Sequence, residues 1–222
     1  MPNERSFAYP TRVTRRQQIL DTAGTLFQRD GYHATSMRAI ARNVQLQGSS
    51  LYAHIRSKEE LLRAIVEQAA DSFQTAVEAV DAKPPPPERL RALVRAHLSV
   101  VRDRLPHATV FFHEWEHLPP GLRRRLVARR DAYQAIFRRT IEAGVKDGSF
   151  TVEDPGLATL FVMSSLNWTY QWLDPDGRLP LDALAERYAE LILRALGTPA
   201  VGTPALDTAA VDTPSAGDRG RR

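Results

Sequence analysis

Apolar side chains recur three and four residues apart over nearly the whole of this chain, and no segment shows the alternation of a half-buried strand. That spacing restricts the fold to packed helices. Between Arg15 and Gly31, the residues Ile19, Leu20, Ala23, Leu26 and Phe27 fall on one helical face. Gly31 ends the run, because glycine accepts a helix-terminating conformation without a Cβ clash. Thr35 is placed to cap a short second helix carrying Met37, Ile40, Ala41 and Val44. A third runs from near Gln47 to near Ile55, with Leu51 and Ile55 inward. Ser57-Lys58-Glu59-Glu60 is a capping box, in which the Ser57 hydroxyl takes the Glu60 N–H while the Glu60 side chain reaches back. It opens a helix reaching to about Asp81.

The four prolines 84–87 form a break that no helix crosses. Beyond them the pattern predicts helices at about Glu88–Arg104, Ala108–His117, Leu122–Asp147, Pro155–Leu173 and Leu181–Leu196. The expectation is an all-α chain of about nine helices. A helix-turn-helix unit spans 14–58 and a helical bundle 59–197. Residues 1–13 are expected to be a flexible arm. The repeat "GTPAV GTPAL DTAAV DTPSA" has little to bury, so 198–222 is expected to be a disordered tail.

Composition narrows the function. The 222 residues contain no cysteine, which excludes disulfides, thiolate metal sites and cysteine nucleophiles and suits a reducing cytoplasm. No apolar run is long enough to span a bilayer. The first twenty residues lack the apolar segment of a secretory signal, so a cytoplasmic location is expected. The net charge is only +4, but it is unevenly placed. Up to Lys58 nine Lys/Arg face three acids, and the remainder is slightly acidic. A basic front end attracts polyanions.

From Arg15 to Glu67 the order of elements resembles the DNA-binding domain of the tetracycline-repressor-like (TetR) family. The matching segments are "RRQQILDTAGTLFQRDGYHATSM", "RAIARNV" and "SSLYAHIRSKEELL". They agree at Phe27, Gly31-Tyr32, Thr35, Ile40-Ala41, Leu51-Tyr52 and Ser57-Lys58-Glu59. The resemblance implies a helix-turn-helix whose second helix enters the major groove of a double-stranded operator. Gln47, Gly48, Ser49, Ser50, Tyr52 and His54 are left for the DNA side. Gln and Ser are suited to base edges. By the same resemblance Tyr52 and Lys58 would hold phosphates, with Thr35, Ser36 and His54 nearby. Two positions depart from the family. Gln45 stands where glycine is usual, which predicts an unusual or slightly opened turn, and Gly48 lies inside the reading helix.

The family's C-terminal part binds an effector and pairs with a second subunit. Residues 108–172 are rich in aromatics, which serve both as core and as pocket lining. Phe112, Trp115, Tyr133, Phe137, Phe161 and Trp168 are the candidate ligand residues. The segments "FFHEWEHL" and "SSLNWTYQWLDPDGRL" resemble a TetR subgroup that senses acyl-CoA thioesters, so an acyl-CoA effector is expected. Arg123, Arg124, Arg125, Arg129 and Arg130 are candidate phosphate partners, although arginine-rich helix faces are usually just solvated. The last two helices would form a homodimer interface, with small Ser164 and Ser165 allowing close approach. No cofactor is implied. A rival reading rests on "HEWEH": His113 and His117, four apart on a helix, would ligate zinc with Glu114 as general base of a hydrolase. Pro119-Pro120 two residues on, and the lack of a third ligand downstream, weigh against it.

Overall fold

A computed structural model of the protein describes residues 14–197. The expected arm and tail lie outside the described residues. Among those described there are nine α-helices and no strand: α1 Arg15–Asp30, α2 Met37–Asn43, α3 Gly48–Tyr52, α4 Lys58–Glu78, α5 Pro86–Asp103, α6 Leu105–His113, α7 Pro120–Asp147, α8 Pro155–Asn167 and α9 Leu181–Ala195. Short 3-10 turns follow α6 (Trp115–His117) and α8 (Trp168–Gln171). No described helix is long and apolar enough to cross a membrane.

The helix ends follow local chemistry. Thr14 caps α1 through the Gln17 N–H, and Asp154 caps α8 through Gly156 and Leu157. Ser57 takes the Glu60 N–H at 3.1 Å. The Glu60 carboxylate reaches one residue further back than the usual box, to the Arg56 N–H at 2.9 Å. That bond is the main reason its carboxyl is held below the ordinary range. One cap differs from expectation. Ser36, not Thr35, caps α2, accepting from the Ala39 N–H, while Thr35 is buried and donates to the carbonyls of Gly31 and Leu26. Two hydroxyls compete for one job, and the residue next to the helix wins because the other faces α1.

The first three helices pack on one another through Ile19, Leu20, Ile40, Ala41, Leu51 and Ile55, all nearly inaccessible to solvent. Helix α4 borders α1 on one side and α5, α6 and α7 on the other. Helix α1 is also docked directly on α6. There Gln28 donates to Thr109 at 3.2 Å, and His107 lies against Gly24 and 3.6 Å from the Asp21 carboxylate. In the bundle α9 lies along α5, and α8 along α7. Tyr188 of α9 ties to α8 by donating to the Ser165 carbonyl at 2.7 Å.

Candidate nucleic-acid interface and effector cavity

Helix α3 is only five residues long, so tertiary anchoring rather than propensity holds it. Leu51 and Ile55 are fully buried beneath it. The opposite side carries Gln47, Gly48, Ser49, Ser50 and His54, all exposed, and Tyr52 at 54% exposure. Gln47 occupies the N-cap position but makes no side-chain capping bond, so its amide is not spent on the helix. A Cβ added at Gly48 would meet nothing within 4 Å. Glycine is therefore not required there by the fold.

The turn between α2 and α3 keeps a conventional path with an unconventional residue. Gln45 has φ 55°, in the left-handed region. Its N–H bonds the Arg42 carbonyl at 3.1 Å, and the Leu46 N–H bonds that of Ala41 at 2.9 Å. These are the two bonds of a Schellman motif. The turn is thus closed, not opened, and Gln45 bears the strain that glycine would avoid. Arg15 adds a cap from outside, reaching the Val44 carbonyl at 2.6 Å.

Two expected DNA contacts are turned inward. The Lys58 ammonium donates to the carbonyls of Tyr32, His33 and Thr35 at 2.8, 3.2 and 3.0 Å and sits 4.5 Å from the Tyr32 ring centre. Three donors meet three acceptors, so Lys58 is a strut holding the turn before α2 and has no N–H left for a phosphate. Thr35 is 3% exposed, with its hydroxyl spent on backbone. Ser36 is exposed, but its oxygen serves as the α2 cap.

A cavity of about 70 Å³ lies between α4, α5, α6, α7 and α8. Phe73, Phe111, Phe112 and Met163 make its apolar walls, and Gln74, Gln134, Asn167, Arg129 and Arg130 also line it. Also in its lining, the buried His97 pairs with Tyr133 at 3.0 Å. Burial lowers the His97 pKa to about 3 and raises that of Tyr133, so both are neutral at ordinary pH. Of the six aromatics expected to bind ligand, Phe112 and Tyr133 line this cavity. Phe137 is core, packed against Tyr133 with the rings tilted and their centres 5.5 Å apart. Trp115 lies outside it on a shallow surface with Arg123 and Arg124, beneath the Arg130 guanidinium. Phe161 and Trp168 point away from the bundle and are 53% and 61% exposed.

Helix α6 connects cavity and interface. Phe111 and Phe112 wall the cavity, and the end of the same helix grips the turn before α2. Glu114 accepts the Tyr32 N–H at 3.2 Å and lies 3.2 Å from His117 Nε2. His117 Nδ1 is 3.2 Å from His33 Nε2, and its ring stacks on Tyr32.

Residues 19–65 match the family described as "Bacterial regulatory proteins, tetR family", and residues 83–196 match "Tetracyclin repressor-like, C-terminal domain". The chain belongs to the TetR family. It is a DNA-binding transcriptional regulator, and neither its family nor its relatives are enzymes. Among curated proteins it is similar to the HTH-type transcriptional repressor KstR2 of Rhodococcus jostii, 30% identical over 192 residues, covering 83% of this chain and 92% of the relative. Among solved structures it is similar to a tetR-family regulatory protein from Rhodococcus RHA1, with a TM-score of 0.76 and 30% identity over 83% of this chain and 98% of that one. It is also similar to AibR in complex with isovaleryl coenzyme A and operator DNA, with a TM-score of 0.71 and 30% identity over 82% and 98% of the two chains.

The zinc-hydrolase reading of "HEWEH" is overturned. Helix α6 stops at His113, and His117 belongs to a separate 3-10 turn, so the two imidazoles do not share a helical face. His113 lies 3.2 Å from the Gln171 amide, whereas His117 faces His33. Among the described residues no group of three or more His, Asp or Glu is arranged to hold a metal ion. Sequence reasoning missed His97, a buried polar residue in the lining of the regulator's cavity. Its signal was a lone histidine on the otherwise apolar face of Leu93, Val94, Leu98 and Val101.

Proposed function

We propose that the chain is a ligand-responsive repressor whose homodimer binds a palindromic operator and is released by an acyl-CoA thioester. The observation that carries this reading is the double role of α6. Its Phe111 and Phe112 wall the cavity, and just past its end Glu114 and, in the 3-10 turn that follows, His117 hold the turn before α2. Any ligand that displaces α6 therefore moves the DNA-reading helix. Effector and operator then oppose each other through one coupling free energy.

In this reading Gln47, Gly48, Ser49 and Ser50 meet base edges, and Tyr52 and His54 flank them. With Lys58 and Thr35 spent on backbone, the phosphate contacts fall to Tyr52 and to the exposed Arg38, Arg42 and Arg56. The acyl group enters the cavity between the aromatic walls. The phosphates of the coenzyme stay outside, near Arg129 and Arg130 at its lining and the adjoining Arg123 and Arg124. The similarity to AibR, captured with both isovaleryl coenzyme A and operator DNA, supports both halves of the assignment. Dimerisation uses α8 and α9. They leave Leu157, Leu160, Phe161 and Leu191 about half or more exposed, a patch unusual for a lone soluble chain.

The test is selection of bound DNA from a random pool, followed by titration of the selected duplex with a panel of acyl-CoA thioesters. A palindromic site whose affinity falls at least about tenfold with one thioester and not with free coenzyme A is the expected result. Selection of no palindrome, or insensitivity to every thioester, would count against the proposal.

A further inference from the structure

Five arginines stand between Glu116 and Asp131 with no acid among them. A helix face that is merely solvated usually mixes both signs of charge. Among the described residues, the ion pairs of α7 are those of Arg129 with Asp71 at 2.6 Å and of Arg138 with Glu142 at 2.7 Å. Arg123, Arg124 and Arg130 therefore enter none. Helical spacing gathers these three around an apolar plate. Pro120, Arg123, Arg124, Val127 and Arg130 recur at steps of three and four along one side of α7. Trp115, on the 3-10 turn before that helix, adjoins them. Trp115, Pro120 and Val127 form the apolar part of a shallow depression of about 370 Å³, with Arg123 and Arg124 beside them. Val127 is 43% exposed, so the plate is open to a ligand. The Arg130 guanidinium lies 5.2 Å from the Trp115 ring centre and also lines the aromatic cavity. Arg130 thus borders both sites, and Arg123 lies two helical turns, about 10 Å, along α7 from it.

We infer that this depression binds a phosphorylated adenosine, the nucleotide end of a coenzyme A thioester, with the base packed on Trp115 and Val127 and the phosphates held by Arg123 and Arg124. An aromatic plate accepts a heteroaromatic base through its π-face. Planar guanidiniums grip phosphate with paired N–H donors. Inorganic phosphate would leave the plate uncovered, and an apolar partner would desolvate guanidiniums that have no counter-charge. A nucleotide satisfies both halves at once. The inference deepens the acyl-CoA reading and rests on it for what continues from the nucleotide into the cavity. It adds a selection that the cavity cannot make. One acyl group carried by coenzyme A or by pantetheine presents the same chain to Phe111 and Phe112, but only coenzyme A carries a base for Trp115 and phosphates for the arginines. The regulator reads the carrier as well as the acyl group.

Calorimetric titration of the full chain with adenosine 3′,5′-bisphosphate and with pyrophosphate tests the subsite. The nucleotide is expected to bind about tenfold tighter. Trp115→Leu removes that difference, and Arg123→Gln combined with Arg124→Gln weakens both ligands. Equal affinities in the wild type, or an undiminished difference in Trp115→Leu, would overturn the inference. The double arginine variant leaves the packed Trp115 in place and so keeps the test open where Trp115→Leu does not fold: unchanged nucleotide affinity in it would overturn the inference as well. A second arm compares hexanoyl-CoA with S-hexanoyl-pantetheine. The coenzyme form is expected to bind about tenfold tighter in the wild type and no tighter in the double arginine variant. Equal affinities for the two thioesters in the wild type would overturn the carrier selection. Base-dependent nucleotide binding with no binding of either thioester would uphold the nucleotide site and count against the acyl-CoA reading alone.

Discussion

The imidazole of His33, on the turn that precedes α2, meets that of His117, on the turn that follows α6, at 3.2 Å. The Glu114 carboxylate lies 3.2 Å from the other His117 ring nitrogen, Nε2, and also accepts the Tyr32 N–H. This contact joins the reading unit to the cavity wall. His117→Ala should leave operator affinity within about threefold of wild type and reduce the effector's coupling to DNA, of order 1–3 kcal/mol in such switches, by at least half. Operator titrations by fluorescence anisotropy, with and without saturating effector, measure both quantities. Undiminished release by effector would exclude this contact from the coupling path.

Gln45 occupies the left-handed position of a closed Schellman turn. Gln45→Gly removes the Cβ clash, worth about 1–2 kcal/mol, and adds back some unfolded-chain entropy, so a net gain of about 1 kcal/mol is expected. Urea unfolding at constant m-value is the measurement. A loss of stability would mean that the Gln45 side chain makes a compensating contact.

Gly48 stands in open space on the exposed side of α3. Gly48→Ala should therefore stabilise the chain by about 0.5–1 kcal/mol, since the helix gains and nothing clashes. The proposed close approach of this backbone to DNA predicts the opposite sign for binding, with operator affinity down about tenfold. A variant that gained stability and kept full affinity would remove Gly48 from the interface.

Acidification should destabilise the chain through His97. Its folded pKa of about 3 lies below the ordinary 6.5, so below pH 6.5 the unfolded chain takes a proton that the folded chain refuses. Stability is then lost as pH falls, at up to about 1.4 kcal/mol per unit, until the folded group itself protonates. Between pH 7 and 5, wild type should lose about 2 kcal/mol more than His97→Phe. His107, also lowered mainly by its burial, acts in the same direction in both proteins and cancels from the difference. Parallel stability curves for the two would refute the assignment.

The exposed apolar residues of α8 and α9 lead to an oligomer prediction. Phe161→Asp places a charge in the patch of Leu157, Leu160 and Leu191 and should weaken the dimer at least about tenfold. The isolated fold should survive, because Phe161 points away from the core. Sedimentation velocity across a concentration series reads this directly. An unchanged dimer would move the interface elsewhere.

The sequence by itself determined the helices and several of their ends, although α6 and α8 stop short of the predicted His117 and Leu173 and continue as 3-10 turns. Glycine at Gly31 and Gly148, Ser57 before Glu60, and the prolines at 84–87 act through neighbouring backbone atoms, so their effect is visible without knowing the fold. It also determined which faces are apolar, hence the buried Leu51 and Ile55 and the outward Gln47, Ser49, Ser50 and Tyr52. Tertiary structure alone decided where each polar or aromatic side chain would go. Lys58 at the start of α4 and Thr35 just before α2 look like surface residues, but carbonyls from a turn more than twenty residues away claim the Lys58 ammonium, and the Leu26 and Gly31 carbonyls claim the Thr35 hydroxyl. Helix α8 is apolar on two sides, with Val162, Met163 and Leu166 inward and Leu157, Leu160 and Phe161 outward. Periodicity of 3.6 residues identifies a face but not what covers it, so Phe161 and Trp168 could not be told from cavity residues. The pairing of His97 with Tyr133, thirty-six positions apart, is likewise a product of two helices meeting. Local spacing carries information over one or two turns of helix. A binding site is assembled from side chains that only packing brings together.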